Sequence, residues 1–189
     1  MKNHNTLIIV ARPDLEHSVI NKAWMEALTG HATIHSLCDA YPAGTPIDVA
    51  HERALVERHD RVILQFPLYW YSAPAILKQW TDEVFGEGWA FGEGGDAWVG
   101  RQLGVAVSCG SAEANFCEGG SQKHTLATFL TPYEGLAAFA RADYIGHHAF
   151  YDTYSDTVAE RLPANCEAYL RFAPQQPMNL DVSHYEYDH

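Results

Sequence analysis

Short apolar runs alternate with amphipathic segments along most of the chain, and this alternation restricts the fold more than any other feature. Five runs have the length of strands, and the first of them is apolar and β-branched, as expected for a strand that is buried on both faces. They cover residues 6–11, 32–37, 61–66, 103–108 and 144–150. Because helix-like segments and loops separate the runs, rather than tight hairpin turns, we expect the strands to lie parallel. The pattern therefore predicts an α/β fold with a five-stranded parallel sheet and helices on both faces.

Capping residues and hydrophobic periodicity place the helices between these runs. Helix starts are predicted near Ser18, Asp48, Pro74 and Asp156. Thr131-Pro132-Tyr133-Glu134 has the form of a capping box with proline at the first helical position, so another helix is predicted to begin there. Residues 85–100 are rich in glycine and tryptophan without a clear period, and they are interpreted as a loop.

Length and charge limit the classes of function. The 189 residues favour one domain, and 24 acidic side chains against 12 Lys and Arg leave a formal net charge of −12. This charge repels phosphate backbones and anionic lipids, which argues against a nucleic-acid or membrane-surface partner. The apolar run near the N-terminus is too short for the core of a signal peptide, and no stretch approaches the length of a membrane span. No membrane insertion is expected.

The cysteines and histidines give no sign of a metal centre. No two cysteines have CxxC spacing, so neither a zinc site nor a disulfide framework is predicted, and a cytoplasmic location is expected. His147 and His148 are adjacent, but neighbouring side chains of a strand point to opposite faces of the sheet. Cys109 is either a reactive thiol in a ligand loop or a small apolar filler, and the absence of a Lys or Arg near it in the sequence favours the filler.

The loop after the first predicted strand has the chemistry of an anion site. Arg12-Pro13-Asp14-Leu15-Glu16-His17-Ser18 ends at a helix N-terminus, where free amides and the helix dipole favour a phosphate. Arg12, His17, Ser18 and Asn21 add side-chain donors. The loop is neither a GxGxxG nor a Walker sequence, so a mononucleotide phosphate is the better candidate. The alternative is that Ser18 simply caps the helix and its neighbours are solvated.

Two more loops follow the third and fourth strands. Phe66-Pro67-Leu68-Tyr69-Trp70-Tyr71-Ser72-Ala73-Pro74 combines backbone groups that suit the edge of a planar ring with aromatic side chains that suit its face. The alternative is an aromatic cluster that caps the core. Ser108-Cys109-Gly110-Ser111 has small residues that allow a ligand to approach closely, or it is an ordinary turn. Because parallel strands end at one edge of the sheet, a single ligand can touch all three loops.

Residues 66–74, 77–85 and 88–92 resemble the flavodoxin-like NAD(P)H:quinone oxidoreductase family. The likeness runs from the first strand to about Phe172. It is greatest to small bacterial members, which include general-stress-type quinone reductases and ancillary proteins of glutathione-gated potassium-efflux systems. The resemblance implies a flavodoxin-like, flavin-binding domain over residues 1–174 and a C-terminal tail over residues 175–189.

The resemblance also implies FMN, or FAD as in larger relatives, bound at a homodimer interface, with NAD(P)H as co-substrate. The family's phosphate loop corresponds to Arg12, His17, Ser18, Ile20 and Asn21. The segment along the isoalloxazine ring corresponds to Pro67, Leu68, Tyr69 and Trp70. The Thr-Thr-Gly-Gly segment at the other edge of the flavin corresponds to Ser108, Cys109, Gly110 and Ser111.

Two departures from the family pattern affect the expected site. Ser111 replaces a glycine, and its side chain is expected either to narrow the space beside the flavin or to change its hydrogen bonding. The larger animal-type reductases have a Tyr and a His for which the nearest matches here, Phe116 and Gln122, cannot shuttle a proton. Tyr69 or solvent would then assist acid-base chemistry. Trp70 and Phe116 are expected to wall an apolar acceptor pocket, so the predicted catalytic residues are Tyr69, Trp70 and Phe116.

The resulting hypothesis is a flavoenzyme that passes a hydride from NAD(P)H through FMN to quinone-type acceptors in a ping-pong cycle. One alternative is a cytoplasmic ancillary subunit of a glutathione-gated potassium-efflux antiporter. A second alternative is a flavodoxin-like electron carrier, which an acidic surface would suit.

Overall fold

The computed structural model describes residues 5–173, and its five strands form one parallel sheet. The strands are β1 (Thr6–Val10), β2 (Thr33–Ser36), β3 (Arg61–Pro67), β4 (Gln102–Ser108) and β5 (Asp143–Phe150). They lie in the order β2-β1-β3-β4-β5, and every neighbouring pair is parallel. The predicted α/β class and all five strands are confirmed, and no strand end differs from its predicted position by more than one residue.

Within residues 5–173, five α-helices connect the strands and a sixth follows β5. They are α1 (Val19–Leu28), α2 (Leu37–Ala40), α3 (Val49–Glu57), α4 (Ala75–Val84), α5 (Leu126–Ala140) and α6 (Val158–Phe172). The single turn of α2 was not predicted, because four residues are too few to show a helical period. Residues 85–100 contain neither helix nor strand, as predicted.

The sheet separates two hydrophobic cores, and the alternation of side chains along β1 shows how. Leu7 and Ile9 join the core that α2 to α5 cover, whereas Ile8 and Val10 join the core beneath α1 and α6. All four side chains are fully buried. The helices therefore cover both faces of the sheet, which leaves its carboxyl edge for the loops.

The predicted start of α5 is wrong. The N-cap is Thr125 rather than Thr131, six residues earlier, and its side chain accepts a hydrogen bond from the amide of Thr128. Pro132 lies inside the helix and cannot donate to the Thr128 carbonyl, four residues before it. The hydroxyl of Thr131 donates to that carbonyl instead, at 2.9 Å. A side chain thus supplies the hydrogen bond that the proline removes, and the helix continues.

Asp48 caps α3 by accepting a hydrogen bond from the amide of His51 at 3.0 Å, as predicted. All four cysteines are free thiols. Within residues 5–173, no helix has the length and apolar character needed to cross a bilayer. The predicted tail over residues 175–189 lies outside the described part of the chain.

Candidate functional site

Three loops meet at the carboxyl edge of the sheet because β1, β3 and β4 are neighbours. The amide of Ala11 donates to the carbonyl of Gln65 at 2.8 Å, and the amide of Leu68 donates to the carbonyl of Ser108 at 2.9 Å. These bonds continue the strand pairing into the loops and keep the loops side by side. The chain leaves β1 towards β2 on one side, while β3 pairs on the other, so the crevice between β1 and β3 is a topological switch point.

A cavity of about 240 Å³, here the inner cleft, lies between these loops. It contains ten of the thirteen predicted cofactor-binding residues. Its lining consists of Arg12, His17, Ser18, Val19, Ile20, Asn21, Pro67, Leu68, Tyr69, Ser108, Gly110, Thr153 and Tyr154. The prediction that one ligand could touch all three loops is thus consistent with the geometry.

A second cavity of about 210 Å³, here the outer pocket, adjoins the inner cleft through the shared residues Leu68 and Gly110. It contains the other three predicted cofactor-binding residues and the predicted catalytic residue Phe116. Its lining consists of Leu68, Trp70, Tyr71, Cys109, Gly110, Ser111, Phe116 and Gln122. The predicted catalytic set is therefore divided, because Tyr69 lines the inner cleft while Trp70 and Phe116 line the outer pocket.

Several hydrogen-bond donors lie where the inner cleft meets the N-terminus of α1. Ser18 is the N-cap residue, but its side chain makes no capping hydrogen bond, so the first-turn amides of α1 lack a side-chain acceptor. Arg12 is the only Lys or Arg among the residues that line the cleft. Its guanidinium donates to the phenol oxygen of Tyr69 and lies 5.5 Å from the centroid of that ring. Cationic and neutral donors of this kind suit a phosphate group.

Asp14 and His17 form an exposed pair at the rim of this cleft. The Oδ1 atom of Asp14 and the Nδ1 atom of His17 are 2.7 Å apart. The hydrogen bond from His17 lowers the pKa of Asp14, and the charge of Arg12 acts in the same direction. The carboxylate is therefore ionised at neutral pH and holds the His17 ring by one nitrogen.

The loop after β3 makes a strained turn at the mouth of the outer pocket. The amide of Tyr69 donates to the Ser72 carbonyl at 2.8 Å, and the amide of Ser72 donates back at 3.0 Å. The two central residues, Trp70 and Tyr71, both have left-handed backbones, with φ of 47° and 66°. This conformation is costly for residues other than glycine, and such strain is often found at functional sites. It presents the Trp70 side chain to solvent, where 93% of its surface is exposed.

Aromatic contacts fix the opposite wall of the outer pocket. The ring of Phe116 lies 5.5 Å from that of Tyr151 and 6.2 Å from that of Phe129, in tilted and edge-on arrangements. These contacts bury Phe116 almost completely. The pocket therefore combines a rigid apolar wall at Phe116 with an exposed indole at Trp70.

Ser111 and Cys109 differ in how they meet the outer pocket. The Ser111 hydroxyl accepts hydrogen bonds from Asn115 at 3.0 Å and from Gln122 at 3.2 Å. These bonds fix the position of the Ser111 side chain, because they join its hydroxyl to Asn115 and Gln122 in the segment after the loop. Cys109 is 1% exposed, and burial raises the pKa of its thiol to about 12. The interpretation of Cys109 as an apolar filler fits this environment.

Thr153 and Tyr154 line the inner cleft and were missed in the sequence. The loop after β5 folds back on the loop after β4, because Asp152 and Thr153 donate through their amides to the carbonyls of Ser111 and Cys109 at 3.0 and 3.2 Å. A Cβ atom on Gly110 would lie 2.9 Å from the Tyr154 ring, so glycine is what allows this contact. The available signal was an aromatic segment at the carboxyl end of β5, which resembles the segment after β3.

A larger open groove of about 930 Å³ lies between α1 and β2, but none of the predicted site residues line it. Its charged residues are Glu16, Glu26 and Asp39 against the single cation Lys22. This surplus of carboxylates repels phosphate groups. The inner cleft therefore remains the better candidate for a nucleotide-like ligand despite its smaller volume.

Within residues 5–173, no group of three or more His, Cys, Asp or Glu side chains is arranged to hold a metal ion. His148 instead stacks on Tyr169, with ring centroids 4.8 Å apart, and its Nε2 lies 3.0 Å from Oδ1 of Asn165. Burial lowers the pKa of His148 to about 4. The ring is therefore a neutral part of the core at physiological pH.

Comparison with known proteins gives the family. Residues 4–173 match the model of a family described by its flavodoxin-like fold. The uncharacterized NAD(P)H oxidoreductase YdeQ of Bacillus subtilis is 36% identical over 186 residues, which cover 96% of this chain and 92% of that protein. KefG of Cronobacter sakazakii, a glutathione-regulated potassium-efflux system ancillary protein, is 33% identical over 168 residues, or 88% and 90% of the two chains.

Two solved structures are similar to this one over most of the chain. General stress protein 14 of Treponema denticola, in complex with FMN, has a TM-score of 0.83 and 38% identity, covering 88% of this chain and 95% of that one. An NADPH-quinone reductase from P. pentosaceus has a TM-score of 0.80 and 33% identity, covering 92% and 99%. The chain belongs to the flavodoxin-like family, among relatives named as NAD(P)H oxidoreductases and quinone reductases.

Proposed function

We propose that this protein binds FMN and acts as an NAD(P)H oxidoreductase that reduces quinone-type acceptors. The observation that carries the proposal is the junction of two cavities, one with phosphate-type donors and one with aromatic walls, at the switch point of a flavodoxin-like sheet. Two relatives support it, because general stress protein 14 of Treponema denticola was solved with FMN and the P. pentosaceus protein is named an NADPH-quinone reductase.

The inner cleft would bind the phosphate end of FMN. Arg12 supplies a cation, the first turn of α1 supplies amides without a side-chain acceptor, and Ser18 lies between them. The hydroxyl of Tyr69 accepts a hydrogen bond from Arg12 and so holds the guanidinium at the cleft. In this proposal Tyr69 positions Arg12, and the proton that a quinone takes up with the hydride comes from solvent.

The outer pocket would hold the ring and the acceptor. Bound FMN would supply the redox chemistry, accepting a hydride from NAD(P)H and passing it to a quinone in ping-pong order. Phe116 and Trp70 offer apolar surface that excludes water and stacks against planar molecules. The amides of Gly110 and Ser111 make no hydrogen bond to other described residues, so they are available to a ligand. With a pKa of about 12, the Cys109 thiol stays uncharged near neutral pH and contributes packing rather than nucleophilic chemistry.

The first test is the visible absorption spectrum of the purified protein, supplied with FMN and then titrated without oxygen. We expect flavin absorption that bleaches with NADPH or NADH and returns when a quinone is added. Protein that binds neither FMN nor FAD would refute the proposal. Protein that binds FMN but resists both nicotinamides would favour an electron carrier.

The potassium-efflux ancillary proteins supply a second candidate function, because KefG of Cronobacter sakazakii aligns over 88% of this chain. In that role the protein would bind the cytosolic part of a potassium-efflux antiporter, and oxidoreductase activity would be secondary. Co-purification with the cytosolic part of the antiporter tests this candidate. The comparison is between wild-type protein and an FMN-free preparation. Sedimentation at several concentrations would test the homodimer.

A further inference from the structure

A buried polar chain runs from α6 through the centre of the sheet to the inner cleft. The hydroxyl of Tyr169 lies 3.1 Å from Oε1 of Gln65, and Nε2 of Gln65 lies 3.1 Å from the backbone oxygen of Asn21 and 3.4 Å from its Oδ1. The Nδ2 atom of Asn21 lies 3.2 Å from the hydroxyl oxygens of both Ser18 and Ser108. Gln65 and Tyr169 are fully buried, and Asn21 is 1% exposed. Gln65 is thus a buried polar residue between the apolar Leu64 and Phe66 of the central strand β3.

The backbone carbonyl of Asn21 sets the direction of every hydrogen bond in this buried polar chain. The carbonyl of Asn21 can only accept, so the Gln65 atom that faces it must be the NH₂ group. The same NH₂ group faces Asn21 Oδ1, which leaves the NH₂ group of Asn21 facing the two serines. Each serine oxygen therefore accepts a hydrogen bond from Asn21.

The serine hydroxyls are left with protons to give. Neither Ser18 nor Ser108 donates its hydroxyl proton to another residue in the range 5–173, and both line the inner cleft. A hydroxyl whose oxygen already accepts from a core amide presents its hydrogen to the cleft. Ser18 also differs from an ordinary N-cap, because its oxygen accepts from Asn21 rather than from the helix amides, which stay free as donors.

We propose that Gln65 is a positioning residue that acts through Asn21 to orient the hydroxyls of Ser18 and Ser108 as donors, so that the inner cleft selects a flavin that carries a phosphate. This inference rests on the proposed function and adds the residue that sets the polarity of the phosphate end. Gln65 itself does not line the cleft.

The test compares the dissociation constants of FMN and riboflavin, which share the ring and the ribityl chain but differ in the phosphate. For Gln65→Met, similar in length but without the amide, we expect FMN binding to weaken about tenfold and riboflavin binding to change less than about twofold. Asn21→Ala should lower the FMN preference at least as much. Trp24→Phe serves as the control, because it alters the core beside Tyr169 and removes a hydrogen bond to Asn165 without touching the chain of amides.

A double-mutant cycle distinguishes an effect through the serine hydroxyls from a general loss of folding. In a Ser18→Ala, Ser108→Ala background there are no hydroxyls to orient, so Gln65→Met should no longer change the ratio of the two dissociation constants. The inference is overturned if Gln65→Met lowers FMN and riboflavin affinity equally, or if its effect persists without the serines. Wild-type protein that binds neither flavin would instead overturn the proposed function, so the two failures are distinguishable.

Discussion

Arg12 and Tyr69, 57 residues apart in the chain, join the loops after β1 and β3 at the inner cleft. The guanidinium donates to the phenol oxygen and its central carbon lies 5.5 Å from the ring centroid. The contact holds the cleft's one Lys or Arg side chain where α1 begins. A cation held in this way suits a phosphate better than a freely moving side chain, because less conformational entropy is lost on binding.

Arg12→Ala is expected to weaken FMN binding about 10- to 100-fold, since hydrogen bonds to charged groups contribute roughly 1.5–3 kcal/mol. Flavin fluorescence titration would measure the change, and the loss should shrink at high salt. Arg58→Ala is the matched control, because Arg58 is an exposed arginine that bonds the Ala54 carbonyl of its own helix. An equal loss in both variants would contradict a role for Arg12 in the cleft.

Trp70 is expected to cost stability through its left-handed backbone and to contribute to the outer pocket through its indole side chain. With φ at 47°, Trp70→Gly is expected to be about 0.5–1 kcal/mol more stable than Trp70→Ala, because only alanine keeps a Cβ in the left-handed region. Both variants should raise the KM for a quinone, since both remove the indole from the outer pocket. Urea denaturation and steady-state kinetics would separate the two effects. Equal stabilities would show that the turn is not strained.

Gly110→Ala should disturb both cavities at once. Its Cβ would lie 2.9 Å from the Tyr154 ring, and Gly110 lines the inner cleft as well as the outer pocket. We expect FMN and riboflavin affinity to fall together, about tenfold, while the unfolding free energy changes by less than about 1 kcal/mol because Tyr154 is exposed and can move. Gly119→Ala, where a Cβ would meet no atom within 4 Å, is the control. Unchanged flavin affinity in Gly110→Ala would argue against a ligand at this loop.

His148 predicts a pH dependence of stability. Burial lowers its pKa from 6.5 to about 4 in the folded chain, so between these values the unfolded chain takes up a proton that the folded chain does not. Stability should therefore be complete above about pH 6.5 and fall as the pH drops towards 4, by up to about 3 kcal/mol from this residue. His148→Phe, which keeps a ring against Tyr169, should flatten that part of the profile, whereas the exposed His31→Gln should not. Urea unfolding at several pH values would measure both.

The Thr131 hydroxyl is expected to stabilise the protein only because Pro132 cannot donate to the Thr128 carbonyl. Thr131→Val removes the hydroxyl that donates to the Thr128 carbonyl and is expected to lower the unfolding free energy by about 0.5–1.5 kcal/mol. In a Pro132→Ala background the alanine amide can serve that carbonyl, so Thr131→Val should cost much less. Thermal or urea unfolding of the four proteins would give the coupling. An unchanged cost in that background would show that the two residues act independently.

The fold was predictable from local patterns for most of its length. The buried strands are short and β-branched, and Asp48 caps α3 through a contact to a residue three positions away. The same local reasoning misplaced the start of α5. Thr131 and Pro132 look like the beginning of a helix, and the contact of Thr131 with Thr128 shows instead how a helix passes through a proline.

The candidate site was predictable in part for a related reason. The sequence by itself determined that three strand-end loops carry phosphate-type donors, aromatic rings and small residues, because these properties belong to consecutive residues. Only the tertiary structure decided that they divide between two adjoining cavities and that Tyr154 contacts Gly110. It also decided that Asn21 donates to Ser108, 87 residues away. Such contacts depend on which strands are neighbours and on how far a returning loop reaches. The spacing of residues along the chain specifies neither the strand order nor the path of the loop.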